Sequence, residues 1–118
     1  MTAANIADAE EALPDMRFDG RVAVITGGGR GLGRAYALLL AAKGAKVVVN
    51  DPGGAISGTA ADGGVAQEVV DAIRLAGGEA IANTDTVATL AGGQEIVESA
   101  LDTWGRMDIL IHNAGNVR

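Results

Sequence analysis

Strand-like and helix-like segments alternate along this 118-residue chain from residue 20 onward. Four short runs rich in apolar and β-branched residues are separated by three stretches whose apolar residues recur at helical spacing. The expected strands cover residues 21–26, 46–50, 79–83 and 108–112, and the expected helices cover residues 31–43, 65–76 and 93–104. The strand runs are apolar throughout rather than alternating, which is typical of parallel strands covered by helices on both faces. The pattern therefore predicts an α/β domain built from crossover units around a parallel sheet.

The helical spacing also predicts which side chains face the sheet. Leu32 and Tyr36 fall on the apolar stripe of the first helix, and Leu101 falls on that of the third. Because such a stripe normally packs against the core, we expect Tyr36 to be a core residue.

The first 19 residues differ from the rest of the chain. Residues 1–19 carry five acids and one base and read as an acidic extension, with a short helix or a frayed arm expected at residues 5–13. Residues 20–118 are nearly balanced in charge and are expected to form a partial domain, because the fourth strand ends six residues before Arg118. That leaves half of a doubly wound sheet, whose open edge would be covered by further residues or by another chain.

Composition excludes several classes of site and partner. With no cysteine and one histidine, His112, the chain is not expected to hold a disulfide, a thiolate nucleophile or a metal. Its net charge of −6 has the wrong sign for a nucleic-acid partner. The N-terminal residues lack the pattern of a signal peptide, and no apolar run is long enough to span a membrane. The expectation is a cytoplasmic protein with no membrane partner.

A glycine-rich segment, Thr26–Gly33, lies between the first expected strand and the first expected helix. Its spacing is T-G-x-x-x-G-x-G, with Leu32 where the more common G-x-G-x-x-G pattern has its last glycine. Glycines allow a sharp strand-to-helix turn and the close approach of a ligand, and the following helix start offers amide donors to an anion. The segment indicates a phosphate site, with a tight turn that binds nothing as the alternative.

An acid follows the second expected strand, 24 residues after Gly27. In dinucleotide-binding units an acid at this point accepts hydrogen bonds from the adenosine ribose and repels a 2′-phosphate, which favours NAD over NADP. Asp51 could instead be an ordinary residue of the Asp51-Pro52-Gly53 turn. Arg30 favours NADP weakly, since a base in the glycine loop can meet a 2′-phosphate, although it fits a solvated loop equally well.

The chain resembles the short-chain dehydrogenase/reductase family over about residues 20–118. The likeness rests on the Thr26–Gly33 segment and on Asn113-Ala114-Gly115, which follows the fourth expected strand. Residues 47–54 with the glycine-rich loop after them, and Asn83-Thr84-Asp85, resemble the (3R)-hydroxyacyl-CoA dehydrogenase-like branch of that family. The resemblance implies a Rossmann-type doubly wound parallel sheet, of which only the N-terminal β-α-β-α-β-α-β portion is present.

The resemblance also implies which residues contact the cofactor. Glycines of the first motif would line the pyrophosphate and Asp51 would hold the adenine ribose. Asp85 would contact the adenine amino group, with Val87 against the ring, while Asn113 would tie neighbouring strands together. The complete set implied is Gly27, Gly29, Arg30, Gly31, Leu32, Gly33, Asp51, Asp85, Thr86, Val87, Asn113, Ala114 and Gly115.

The catalytic residues that the resemblance implies are absent from these 118 residues. The family uses a serine and a Tyr-x-x-x-Lys pair, in which the tyrosine moves the proton and the lysine lowers its pKa. The one tyrosine, Tyr36, has Leu40 four residues later, and neither Ser57 nor Ser99 precedes such a pair. His112 could act as a base, but it also fits an ordinary residue at a strand end. We expect no catalytic residue here and no activity from this stretch alone.

The resulting expectation is the N-terminal part of an NAD-dependent oxidoreductase, with NADP as the less favoured cofactor. The whole enzyme would interconvert a secondary alcohol, hydroxyacyl or steroid-like, and a ketone. Its partners would be a small-molecule substrate and further copies of itself. The alternative is a non-catalytic half-domain that binds a nucleotide or serves as an interaction module.

Overall fold

Strands and helices alternate strictly in the computed structural model, which describes residues 16–53 and 64–113. The elements are β1 (Val22–Thr26), α1 (Gly31–Ala42), β2 (Lys46–Asn50), α2 (Gly64–Leu75), β3 (Glu79–Asn83), α3 (Leu90–Trp104) and β4 (Ile109–His112). Three of the sequence-based expectations lie outside the described residues: the helix or arm at residues 5–13, most of the glycine-rich loop after Asp51, and the placement of Ala114 and Gly115.

The four strands form one parallel sheet in the order β3-β2-β1-β4. Val24 of β1 pairs with Val48 of β2 on one side and with Leu110 of β4 on the other, and Val48 pairs in turn with Ile81 of β3. This architecture confirms the predicted α/β class and the Rossmann-type portion. Since all four strands run the same way, their carboxyl ends lie along one edge of the sheet.

Helices cover both faces of the two central strands, which explains why β1 is buried throughout and β2 nearly so. On one face, Ile25 and Val49 pack against side chains of α1 and α2, such as Leu40 and Val69. On the other face, Val22, Val24 and Val48 pack against Ile96 and Ala100 of α3. Tyr36 is partly buried against the first of these clusters, so its predicted place in the core is confirmed.

The start of α3 differs from the prediction. The sequence pattern places it at Gly93, but the helix begins at Leu90. Thr89 is the N-cap, and its hydroxyl accepts a hydrogen bond from the Gly92 amide at 2.9 Å. The glycine pair therefore belongs to the first turn of the helix rather than to the loop before it, because a threonine cap supplies the acceptor that this turn needs.

Three leucines that lie on the helical stripes or in a strand run are exposed. Leu32 is 60% exposed and Leu101 is 45% exposed, because α1 and α3 turn other residues toward the sheet, among them Leu40 and Ile96. Leu110 of β4 is 55% exposed, so β4 is not covered on both faces as its apolar run suggested. The reason is that α3 packs over β1 and β2, and no helix of the described part of the chain packs closely over this face of β4.

Candidate functional site

The predicted site residues gather at the carboxyl edge of the sheet. The glycine loop follows β1, and Asp51, Asp85 and Asn113 follow β2, β3 and β4. The chain crosses from β1 outward through β2 to β3 and then returns to place β4 on the other side of β1. In open parallel sheets, the crevice beyond such a change of direction is where ligands bind.

The glycine loop places the N-terminus of α1 at this crevice. Gly27 and Gly31 both have left-handed backbones, with φ of 65° and 59°. No side chain caps α1 at Arg30, and its first turn contains no acid. The first amides of a helix have no acceptor within the helix, and its dipole is positive at this end. The loop therefore offers backbone donors and partial positive charge to an anionic group.

Space around the loop is unevenly distributed. A Cβ on Gly31 would meet no atom within 4 Å, so this part of the loop is open. A Cβ on Gly33 would collide with the Gly27 carbonyl and lie 2.7 Å from Nδ2 of Asn113, which shows that Gly33 allows close packing of α1 on the loop. The open space therefore lies at Gly31, whereas protein atoms already fill the space at Gly33.

Asp51 is held against the glycine loop by backbone amides. Its Oδ2 accepts a hydrogen bond from the Gly29 N–H at 3.1 Å, and its Oδ1 accepts one from the Gly53 N–H at 2.9 Å. The residue is only 9% exposed. Each carboxylate oxygen still has a further lone pair, so the side chain can accept ligand hydroxyls without leaving its position. Arg30, by contrast, is exposed on the loop.

Among residues 16–53 and 64–113, no hydrogen bond joins Asp85 to Asp51 or to the glycine loop; two asparagines connect the strand ends instead. Asn50 Nδ2 donates to Asn83 Oδ1 and to the Asp85 carbonyl, both at 2.8 Å. Asn83 Nδ2 donates to Asp85 Oδ2 at 2.9 Å. Sequence patterns assign no role to either asparagine. The available signal is that both five-residue strands end in Asn, a residue that is depleted in strands, and that the Asn of β2 follows three buried valines.

Thr26 joins β1 to β4 at the other side of the site. Its hydroxyl oxygen accepts a hydrogen bond from the Asn113 amide at 3.0 Å and lies 3.1 Å from His112 Nδ1. The Asn113 side chain donates to the Gly27 carbonyl at 3.2 Å. Asn113 thus ties the end of β4 to the loop after β1. His112 is occupied with the Thr26 hydroxyl at the end of its strand, and sequence patterns gave no indication that Thr26 is the centre of this group.

The remaining predicted residues lie at the start of α3 and on the first turn of α1. Thr86 accepts a hydrogen bond from the Ala88 amide at 3.0 Å, and Val87 is 38% exposed. Leu32 is likewise exposed, so both offer apolar surface at the sheet edge. Across residues 16–53 and 64–113, no three acidic, histidine or cysteine side chains come together as a metal site would require. In the same residues, none of the helices has the length and apolar character of a membrane span.

Comparison with other proteins identifies the curated relatives of the chain. It is 55% identical over 103 residues to the peroxisomal multifunctional enzyme type 2 of Drosophila melanogaster, covering 87% of this chain and 17% of that protein. It is 50% identical over 104 residues to the peroxisomal hydratase-dehydrogenase-epimerase of Saccharomyces cerevisiae, covering 88% of this chain and 11% of that one. The chain thus spans less than a fifth of the length of these two relatives, and they confirm the resemblance to the hydroxyacyl-CoA dehydrogenase-like branch.

A solved structure and a family profile also relate the chain to short-chain dehydrogenases. A short chain dehydrogenase from Mycobacterium avium superimposes with a TM-score of 0.76 at 50% identity, covering 85% of this chain and 36% of that one. The profile of the family described as short chain dehydrogenase matches residues 21–118, which include both motifs and all four strands. The chain therefore belongs to the short-chain dehydrogenase/reductase family.

Proposed function

We propose that the chain binds NAD through its adenosine diphosphate half and serves as the nucleotide-binding part of an oxidoreductase. The observation that carries this proposal is the Asp51 carboxylate, bonded to the Gly29 amide beside the open N-terminus of α1. A carboxylate can accept hydrogen bonds from the two hydroxyls of a ribose, and a helix N-terminus can bind the diphosphate attached to that ribose, so the two features must lie next to each other.

Different residues would contact different parts of NAD. Backbone amides of residues 27–33 would bind the diphosphate, and Asp51 would bind the adenine ribose. Asp85 and Val87 would contact the adenine. Asn113 would keep the loop closed under the ligand, with Ala114 and Gly115 passing beside it. Once bound, the nicotinamide of NAD supplies hydride exchange with the carbinol carbon of a substrate.

The cofactor preference follows from charge. If Asp51 holds the adenine ribose, its anchored carboxylate would lie beside the 2′-phosphate of NADP, and like charges at close range disfavour binding. Arg30 is exposed on the same loop and is the residue that favours NADP. We propose NAD as the cofactor because two amides hold the carboxylate in place, whereas the Arg30 guanidinium has no hydrogen bond or ion pair in the described part of the chain.

We propose that the reaction interconverts a secondary alcohol and a ketone, on a hydroxyacyl or steroid-like small molecule. The hydroxyacyl class is favoured by the two multifunctional relatives, one of which is named as a dehydrogenase. None of the 118 residues forms a Tyr-x-x-x-Lys pair, so we propose that they bind cofactor and do not move the proton. Assembly into homo-oligomers and a cytoplasmic location stay predictions, and the relatives' names point to peroxisomes for those proteins.

Calorimetric titration of the encoded protein, meaning this chain with whatever coding sequence adjoins it, tests the proposal. We expect saturable binding of NAD and of ADP-ribose, and at least about tenfold weaker binding of NADP. Binding of neither NAD nor ADP-ribose contradicts the proposed function. Tighter binding of NADP than of NAD overturns the role of Asp51 alone.

A second candidate is a half-domain that binds a nucleotide or a partner without catalysis. It is favoured by the missing Tyr-x-x-x-Lys pair. Reading the coding sequence after Arg118 separates the two candidates. A serine and a Tyr-x-x-x-Lys segment within roughly the next hundred residues supports the enzyme, and a stop codon directly after Arg118 supports the half-domain.

A further inference from the structure

A buried amide joins the carboxyl ends of β2 and β3. Asn50 is fully buried, and its register partner in β3 is Asn83. The Nδ2 group of Asn50 has two hydrogens and two acceptors at 2.8 Å, namely Asn83 Oδ1 and the Asp85 carbonyl. Both hydrogens of this amide are therefore donated to the end of β3 and the segment directly after it.

The orientation of the Asn50 amide follows from these neighbours. Within residues 16–53 and 64–113, its buried Oδ1 has no hydrogen-bond partner. Turning the amide over would satisfy nothing, since Oδ1 would then face two acceptor oxygens, Asn83 Oδ1 and the Asp85 carbonyl. A buried oxygen without a partner lowers stability. The favourable contribution of Asn50 therefore comes from its hydrogen bonds to Asn83 and Asp85.

Asn83 continues the network to the acid. Its Oδ1 accepts a second hydrogen bond, from the Asp85 amide at 2.9 Å, and its Nδ2 donates to Asp85 Oδ2 at 2.9 Å. Asp85 is therefore held at three points: its N–H, its carbonyl and one carboxylate oxygen. Among residues 16–53 and 64–113, no group donates a hydrogen bond to the other oxygen, Oδ1.

We propose that Asn50 and Asn83 are positioning residues that hold Asp85 with one carboxylate oxygen free, and thereby select a purine with an amino group over one with a carbonyl at the same position. The inference rests on the proposed function, because it assumes that the adenosine end of the ligand lies at β2 and β3. Neither asparagine need touch the ligand; each acts through Asp85.

The selectivity has a direct chemical reason. A carboxylate oxygen only accepts hydrogen bonds, so it pairs with the exocyclic amino group of adenine. The corresponding carbonyl of hypoxanthine is also an acceptor and is repelled. The discrimination depends on the carboxylate being fixed, because a freely rotating side chain could turn away from the carbonyl. Asn83 fixes it by holding Oδ2.

The test compares NAD with nicotinamide hypoxanthine dinucleotide, by calorimetric titration of the encoded protein. We expect the wild type to bind NAD about tenfold more tightly, a typical effect of one hydrogen bond to a charged group. In Asn83→Leu the preference should fall to less than about threefold, since Oδ2 loses its donor. Thr84→Ala, at the exposed residue between Asn83 and Asp85, is the matched control and should keep the wild-type preference.

A double-mutant comparison shows whether Asn83 acts through the acid. Asp85→Ala should remove the preference, and adding Asn83→Leu to it should change the ratio of the two affinities no further. The ratio is the decisive quantity, because a general loss of structure weakens both dinucleotides alike. Asn83→Ala replaces Asn83→Leu if circular dichroism shows that the leucine variant does not fold.

Three outcomes overturn the proposal while leaving the proposed function intact. They are equal affinity of the wild type for the two dinucleotides, a wild-type preference retained in the Asn83 variant, and failure of both Asn83 variants to fold, which would mean a structural role only. If the wild type binds neither dinucleotide, the proposed function itself is contradicted, and so is the positioning role of Asn50 and Asn83.

Discussion

The carboxylate of Asp51 accepts a hydrogen bond from the backbone amide of Gly29 across 3.1 Å, which ties the end of β2 to the loop after β1. A Cβ on Gly29 would lie 2.8 Å from that same carboxylate oxygen. Glycine is therefore needed at this position for the acid to reach the loop. The negative charge and the amide-rich helix start are brought together by this contact.

Replacing Asp51 by alanine should weaken NAD binding about tenfold and reduce the preference over NADP, because both the ribose acceptor and the repelling charge are lost. Dissociation constants for NAD and NADP, measured by calorimetry, check this. Asp102→Ala makes the same charge change at an exposed position of α3 and should leave both constants unchanged. Unaltered NAD affinity in the Asp51 variant would show that the acid does not hold the ribose.

Replacing Gly31 by valine should abolish NAD binding. Its φ of 59° is strained for a β-branched residue, and the added side chain would enter the open space at the start of α1. Gly20→Val is the matched control, since Gly20 also has a positive φ, 78°, with nothing within 4 Å of its Cβ position, but precedes β1. Both variants should lose stability in thermal unfolding, and only Gly31→Val should lose binding. Retained affinity in Gly31→Val would rule out the phosphate site at this loop.

Replacing Thr26 by valine should lower the free energy of unfolding by about 1–3 kcal/mol. The two side chains have nearly the same shape, but valine leaves the Asn113 amide without the acceptor it has at 3.0 Å. Thr26 is 3% exposed, so water does not easily replace that acceptor. Urea unfolding measures the difference. Thr103→Val, at an exposed position of α3, should change the free energy by less than about 0.5 kcal/mol, and an equal loss in both variants would contradict the role given to Thr26.

The pH dependence of stability should depend on Asp108. Hydrogen bonds from the Arg106 guanidinium, and next from the Val22 amide, hold the pKa of the Asp108 carboxyl below its ordinary 3.8. A folded-state pKa below the unfolded one means that the stabilisation is present above the unfolded pKa and is lost as the pH falls through the folded pKa. The Tm of Asp108→Asn should therefore be lower than that of the wild type at neutral pH, and the two should converge below pH 3.8.

A second Arg–Asp pair supplies the control for this prediction. Arg17 and Asp19 have the same spacing and a 2.9 Å contact, but the Asp19 side chain is 66% exposed, against 17% for Asp108. Exposed pairs contribute little to stability, so Asp19→Asn should shift Tm less at every pH. A difference between Asp108→Asn and wild type that stays constant with pH would show that the charge of Asp108 is not what stabilises the fold.

Much of the fold could be predicted because the strands are short and strongly apolar. The bounds of β2 and β3 agree with the sequence pattern to the residue, and the helices end at or within one residue of the predicted ends. The start of α3 was predicted less accurately. Two adjacent glycines in the sequence indicate a loop, whereas in the structure they lie in the first turn of a helix that Thr89 caps with a local hydrogen bond. The exposure of Leu32 and Leu101 could not be predicted, because helical spacing gives a stripe without stating how far the helix is turned about its axis.

The sequence by itself determined the α/β alternation, the glycine loop and the acid after β2, since these depend on residue type and on short spacings along the chain. Only the tertiary structure decided which polar groups meet across strands. Thr26 and Asn113 are 87 residues apart, and Asn50 and Asp85 are 35 apart, yet each pair is hydrogen-bonded. Such contacts depend on strand order and register, which a linear pattern does not contain, and the Asn50–Asn83–Asp85 network was for that reason visible only in the folded chain.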